Sequence, residues 1–414
     1  MNAVKPRTLA VVTGAYWVFT ISDGALRTLV LLFFHDIGYS PVQLAFLFLL
    51  YEFFGVITNL FGGLVGSRHG LQRTLHYGLA TQVAALLLLT AFDESWAQWL
   101  AVCWVMGSQA LSGIAKDLTK MSSKSAVKFV AERGDADDSS RLFAWVAALT
   151  GSKNALKGVG FFIGGVLLET VGFNGGLVAM AAVVGATLIA ALLLLDEPIG
   201  KAKERPTSAA LWSTSPPLNR LSAARVFLFG ARDIWFVVAL PVFLQDDQGW
   251  SYAEVGAFLA AWVIGYGMMQ SLAPAVLRAT GGSDDVVAAA QWWAGALLVV
   301  SVAISLAVIV KLTVAVAILG GLIVFGLVFA INSSVHSYLV LAFANDDRVA
   351  LDVGFYYSAN AMGRLIGTLL SGVLFLVGGI EVALIGSTLF LAMAFGLARG
   401  LRRASERSAV VISS

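Results

Sequence analysis

Lys153 and Lys157 stand four residues apart in the apolar stretch TGSKNALKGVGFFIGG, residues 150–165. On a helix that spacing puts both on one face, about 40° apart. No acid lies within a turn of either on the same helix, so the pair reads as fixed positive charge suited to holding an anion. The stretch recurs far down the chain, where Asn154-Ala155-Leu156-Lys157-Gly158 is echoed by Asn360-Ala361-Met362-Gly363-Arg364. This doubled cationic element is the expected functional centre.

Other charges sit in apolar surroundings and extend the pattern: Asp23 and Arg27, Glu52, Lys116, then Arg225, Arg232, Asp233 and Arg364, with His336 among them. Each charge near the centre of a membrane helix costs about 2.5–3.5 kcal/mol. Half a dozen left uncompensated would cost roughly 15–20 kcal/mol, more than the roughly 5–15 kcal/mol net stability of a domain. They must face a hydrated cavity or one another. Asp23 and Arg27 are spaced i, i+4, while Arg225 and Arg232, like Glu52 and Asn59, are seven apart and about 20° from alignment, so polar stripes run along otherwise apolar helices.

Alternatives stay open for several of these. Asp23 with Arg27 is either an intrahelical pair or a ligand contact. Arg232 and Asp233, adjacent in sequence, point about 100° apart and are not expected to satisfy each other. Lys120, Lys124 and Lys128 continue the four-residue spacing of Lys116 out of the membrane and read as a solvated cytoplasmic face, while Lys116 itself stands between that reading and a substrate contact. His336, after Asn332, Ser333 and Ser334, is either a packing histidine or a proton carrier. Glu52 either couples a proton or pairs with a cation.

The elements that must position these residues are membrane helices. The 414 residues are 58% hydrophobic and 13% charged with mean hydropathy +0.84, which excludes a soluble globular domain. The net charge of +2 says little, because placement decides in a membrane protein. The first apolar segment, about residues 9 to 34, is too long for a signal-peptide core and reads as an uncleaved span. Cys103 is the single cysteine and reads as a small buried apolar residue, which excludes an intramolecular disulfide and a Cys-rich metal site.

Windows of roughly twenty residues place spans at 9–34, 41–65, 73–92, 96–117, 143–169 and 174–195, then at 221–245, 252–276, 286–310, 313–342, 353–378 and 381–400. Between the sets, residues 196–220 are polar with four prolines, a linker joining two six-span halves, 1–195 and 221–414. Loop lysines and arginines, at Lys5, Arg7, Arg68, Arg73, the 117–142 segment, the linker and the tail, fall on one side and predict cytoplasmic N- and C-termini. The fold class expected is an all-α membrane protein of twelve transmembrane helices.

The halves also match in sequence. Gly38-Tyr39-Ser40 parallels Gly249-Trp250-Ser251, and the pairs Asn154/Asn360 and Gly24/Gly230 are both separated by 206 residues. A parallel repeat predicts a site where the halves meet, near the bilayer midplane. At this point the chain resembles the major facilitator superfamily. Gly63 to Arg73, GLVGSRHGLQR, is similar to that superfamily's gating loop between spans two and three, on Gly63, Ser67, Arg68, Gly70 and Arg73, although Ser67 stands where an acid is expected.

More specifically, SDGALR at 22–27, GYSPVQLAFLFLLYE at 38–52, QALSGIAKDLTKM at 109–121 and GSKNALKG at 151–158 resemble the bacterial ArsJ-type arsenic-resistance permeases. That resemblance implies efflux of 1-arseno-3-phosphoglycerate across the bacterial inner membrane, with a functional link to the glyceraldehyde-3-phosphate dehydrogenase that makes it. A polyanion of this kind suits a cavity with surplus cations. The substrate-binding residues expected are Arg27, Lys116, Lys153, Asn154, Lys157, Arg225, Arg232, Asn360 and Arg364, with Asp23, Glu52, Asp233 and His336 for coupling or charge pairing. Carriers of another small organophosphate or carboxylate, and a non-transporting membrane receptor or scaffold, are the competing readings. No metal cluster, nucleophile with its base or phosphate loop is present in the sequence, so no enzyme activity, cofactor or nucleic-acid partner is expected; the chain should act as a monomer in the lipid bilayer.

Overall fold

The computed structural model describes residues 6–69, 71–131, 138–195, 215–282, 285–311, 314–344, 349–402 and 404. Among these the chain is all helical. In order the helices are α1 (Pro6–Asp36), α2 (Pro41–Leu47), α3 (Leu49–His69), α4 (Leu71–Thr90), α5 (Gln98–Ala131) and α6 (Asp138–Leu194). They are followed by α7 (Pro216–Phe236), α8 (Ala239–Asp246), α9 (Tyr252–Ala279), α10 (Val286–Ile309), α11 (Val314–Phe343) and α12 (Val349–Arg399).

Among the described residues, eight stretches are long and apolar enough to cross a membrane: Ala10–Asp36, Pro41–Leu60, Ser152–Leu194, Pro216–Asp246, Tyr252–Ala279, Val286–Ile309, Ala315–Phe343 and Leu351–Arg399. The third and the last, 43 and 49 residues long, exceed twice the roughly 20 residues that one crossing needs. Each is broken by glycine. Gly172 takes φ +72° inside α6, and Gly379 takes φ +64° after Gly378 inside α12, a conformation open to glycine because it lacks a Cβ.

Helix starts follow from local chemistry. Ser40 caps α2 with a capping box to Gln43, and Pro41 occupies the first turn, where its missing N–H costs nothing. Before α9, Ser251 and Glu254 form the same reciprocal arrangement, with Ser251 N–H donating to Glu254 Oε2 at 2.8 Å and Glu254 N–H to Ser251 Oγ at 3.3 Å. Gly38 and Gly249, two residues before each cap, both have positive φ, +89° and +66°. The sequence match Gly-Tyr-Ser and Gly-Trp-Ser is thus one turn built twice. Ser215 caps α7 ahead of Pro216 and Pro217, and the break between α7 and α8 is satisfied by Ser371 Oγ, which accepts from the Val238 and Ala239 N–H groups at 3.1 Å each.

Some helices run further than hydropathy predicts. The expected 66–73 loop is mostly helix, with α3 continuing to His69 and α4 starting at Leu71. Likewise α5 continues to Ala131, beyond the expected end at 117. Neither extension contains proline, and polar helix formers let a helix continue into the interface after its apolar part has ended.

The chain forms two compact units. One comprises Met1–Phe34, Phe61–Thr207 and Ser251–Ile264, and the other His35–Leu60, Ser208–Trp250 and Gly265–Ser414. The interior helices are α1 in the first and α7–α8 in the second: 72% and 78% of their most apolar windows are buried, against 28–44% for the other crossing stretches. The first unit closes on glycines, since a methyl group on Gly24 of α1 would lie 2.6 Å from the Lys157 carbonyl oxygen and 3.2 Å from Gly160 Cα of α6. In the second, a methyl on Gly230 of α7 would lie 2.8 Å from the Phe390 ring and 3.2 Å from the Gly363 carbonyl oxygen, both on α12. Small residues at crossings suit a lipid medium, where dispersion contacts, not water exclusion, hold helices together.

Candidate functional site

In the first unit the close approach of α1 to α6 brings Asp23 to Lys157. The pair is 3.8 Å apart, and the ammonium also lies 5.7 Å from the Phe161 ring centre. The expectation that nothing neutralises Lys157 is therefore corrected: its acid comes from a helix more than a hundred residues earlier, which spacing along one helix cannot reveal. Lys153 is exposed on α6, Asn154 is half-buried beside it, and Arg27 is half-buried on α1. Lys116 is half-buried on α5, while Lys120 of the same series pairs with buried Asp117 at 3.8 Å. Behind α1 a neutral buried network runs from Ser112 Oγ to Gln82 Oε1 at 2.8 Å and from Gln82 Nε2 to Ser22 Oγ at 3.3 Å.

The second unit holds a denser charge network. Arg364 of α12 donates through Nη2 to Glu52 Oε1 of α3 and through Nε to Asp233 Oδ2 of α7, the latter at 3.3 Å. Arg232 Nε reaches the other oxygen of Asp233 at 2.6 Å. Both carboxylates are 1% exposed and the guanidiniums 19% and 15%. This corrects the expectation that Arg232 and Asp233 cannot satisfy each other, because a long arginine side chain folds back across the 100° between neighbouring positions. Glu52 is the partner of a cation, as one of the two sequence readings had it.

Arg225 differs from all of these. It is 4% exposed, and its contacts are neutral: Nε donates to Asn360 Oδ1 at 2.9 Å, Nη1 to the Ser333 carbonyl oxygen at 3.3 Å, and the guanidinium lies 4.0 Å from the Phe229 ring centre and 5.2 Å from that of Tyr356. Ser333 Oγ in turn accepts from Tyr266 Oη at 3.2 Å and Gln270 Nε2 at 3.4 Å. His336, one turn beyond Asn332 on α11, is buried at 2%. Aromatic faces and neutral acceptors thus surround this guanidinium, whose planar fork can stack and donate at once.

The structure thus brings Arg225, Asn360 and His336 together in one cluster, Arg232, Asp233, Arg364 and Glu52 in a second, and Asp23 with Lys157 in a third. For the expected gating loop, Gly63, Ser67 and Arg68 fall on the helical backbone of α3, with the side chains of Ser67 and Arg68 outside the described residues. Gly70 also lies outside them, and Arg73 is exposed on α4. Sequence reasoning missed Tyr266, Gln270 and Tyr356, because uncharged residues in apolar spans give no signal of their own. It missed buried Asp352 because that residue sits just before the expected start of its span.

The family model described as Major Facilitator Superfamily matches residues 12–334. None of the curated proteins matches the chain at a significant level. Solved structures similar in fold include a POT family transporter in complex with a thioalcohol-conjugated peptide, with TM-score 0.75 and 12% identity over 96% of this chain and 97% of that one. A bacterial homologue of the iron transporter ferroportin in its inward-facing state follows, with TM-score 0.71 and 15% identity over 95% and 98%. Its outward-facing form gives TM-score 0.68 and 14% identity over 96% and 99%. At these identities the likeness is one of fold. The family match spans well over half the chain, and so the protein belongs to the Major Facilitator Superfamily, as a multi-pass secondary transporter and not an enzyme.

Proposed function

We propose that this transporter exports a small organic polyanion, 1-arseno-3-phosphoglycerate, from the cytoplasm by alternating access, and so confers arsenate resistance in the manner of the ArsJ-type permeases it resembles. The observation that carries the anionic substrate is Arg225: the acids Asp23, Glu52 and Asp233 are each bound to a cation, while this buried guanidinium is held by neutral groups alone. A fixed buried charge of that kind is stabilised when an anion arrives. Arg27, Lys116, Lys153, Asn154, Lys157, Arg232, Asn360 and Arg364 are the other substrate-binding residues in this reading, and Lys157 and Arg364 exchange their carboxylate partners for the oxygens of the ligand.

In this reading the glycine-broken helices each cross twice, and α4 and α5 cross as well. That gives twelve spans in two six-span halves, 1–195 and 221–414, with both termini in the cytoplasm of a bacterial inner membrane. A membrane potential negative inside aids export of an anion, at about 2.3 kcal/mol per charge across 100 mV. The test uses everted vesicles with the dehydrogenase, arsenate, nicotinamide cofactor and glyceraldehyde 3-phosphate. Arsenic should accumulate only when all are present. Accumulation from arsenate alone, or exchange of a different phosphate ester with no arsenic movement, would overturn the arsenical reading.

A further inference from the structure

The neutral groups near Arg225 have hydrogen-bonding capacity left over. Asn332 is fully buried on α11, yet neither its Oδ1 nor its Nδ2 has a hydrogen-bond partner, and the same holds for His336 Nδ1; the buried hydroxyl of Tyr356 on α12 faces the Arg225 guanidinium, which can only donate, and so keeps its own O–H to give. Asn332 and His336 are spaced i, i+4 and so share a helix face. Ser333 between them gives its carbonyl oxygen to Arg225, His336 lies within electrostatic range of the guanidinium, and the Tyr356 ring lies beneath it.

We propose that this cluster, on α7, α11 and α12 with Tyr266 and Gln270 of α9, all within one unit, is a binding subsite for a single tetrahedral oxyanion group, a phosphoryl or arsenyl end, with Asn332, His336 and Tyr356 selecting it around Arg225. The proposal rests on the reading of the chain as an anion transporter and assigns one end of that anion. An oxyanion offers acceptors in several directions at once, and the cluster offers matching donors: the Asn332 amide, the Tyr356 hydroxyl, and the His336 ring in its Nδ1–H tautomer. Water could satisfy the same donors but brings no charge to balance the guanidinium. A cation finds no carboxylate on Arg225 to hold it. The neighbouring network of Glu52, Asp233, Arg232 and Arg364 pairs two acids with two cations, whereas the hydrogen bonds of Arg225 go to an amide and a backbone carbonyl.

The test is equilibrium binding of radiolabelled inorganic phosphate to the purified full-length protein in detergent, with 3-phosphoglycerate as a second probe to separate a free oxyanion from an ester end. Saturable phosphate binding should weaken at least tenfold in Arg225→Met and Asn332→Leu. It should weaken less in Tyr356→Phe, which removes only a hydroxyl, and remain normal in Arg402→Gln at an exposed pair. Monodisperse elution of each variant checks folding, and Tyr356→Phe keeps the proposal testable if Arg225→Met aggregates. Absence of saturable binding by either probe, or wild-type binding in the Arg225, Asn332 and Tyr356 variants, would overturn the subsite. Arg225-dependent binding without arsenic movement in vesicles would keep the subsite and sink the arsenical substrate; arsenic transport with binding indifferent to these variants would do the reverse.

Discussion

The two units solve the same crossing with different charges. In the first, α1 meets α6 at Gly24 against the Lys157 carbonyl, and in the second α7 meets α12 at Gly230 against the Gly363 carbonyl, each partner exactly one 206-residue repeat from its counterpart. The glycine contacts have been kept because the backbones touch there. The charges have not: Asp23 pairs with Lys157 in the first unit, whereas in the second the acid is Asp233, at the repeat position of Arg27, and its partner across the crossing is Arg364, at the repeat position of Gly158. Close packing constrains the shape of a repeat, and charge placement is left free to specialise.

The comparison predicts unequal effects, the largest at the charge pairs. Asp233→Asn leaves Arg232 and Arg364 partly uncompensated in a site where the acid is 1% exposed, so it should cost roughly 3–5 kcal/mol. Asp23→Asn breaks a longer pair whose lysine is 20% exposed and should cost about 1 kcal/mol. Thermal unfolding of both variants in the same detergent checks this; equal losses would break the contrast. Next come the glycines. Gly24→Ala drives a methyl into backbone that cannot move aside, for about 1–3 kcal/mol, while Gly230→Ala meets chiefly the Phe390 ring, which can turn, and should cost less. A larger loss at Gly230 would mean that the second crossing is the more rigid one.

The smallest effect is a pair of opposite titrations outside the spans. Asp93 accepts hydrogen bonds from the Ser95 side chain and N–H, which hold its carboxyl below the usual carboxylate range. Its contribution to stability is present above the unfolded pKa and lost as pH falls through the lower folded value. Asp247 is pushed up, first by burial and then by the charge of Asp246. Its neutral form contributes stability below the unfolded pKa, and this is lost as pH rises through the higher folded value. Carbon-13 titration of labelled aspartates should show Asp93 ionising first, and the reverse order would remove the contrast.

Particular residues show how much of this was legible. Gly-Tyr-Ser and Gly-Trp-Ser were legible as a repeat, and the structure makes each a glycine turn into a serine cap. Arg225, Asn360 and His336 were each visible as polar residues in apolar spans, yet their meeting was not, since Arg225 lies more than a hundred residues before the other two. Lys157 misled for the same reason: its helix carries no acid within a turn, and its partner Asp23 arrives from α1.

By itself the sequence determined a helical membrane protein with an internal repeat and an excess of intramembrane cations, because hydropathy, glycine spacing and charge are local properties carried by each helix. Only the tertiary structure decided which partners Lys157, Arg225, Arg232 and Arg364 meet. Pairing depends on the few ångströms between helices from distant parts of the chain, and it is this that separates Arg225, held by neutral groups, from Lys157 and Arg364, each bound to an acid.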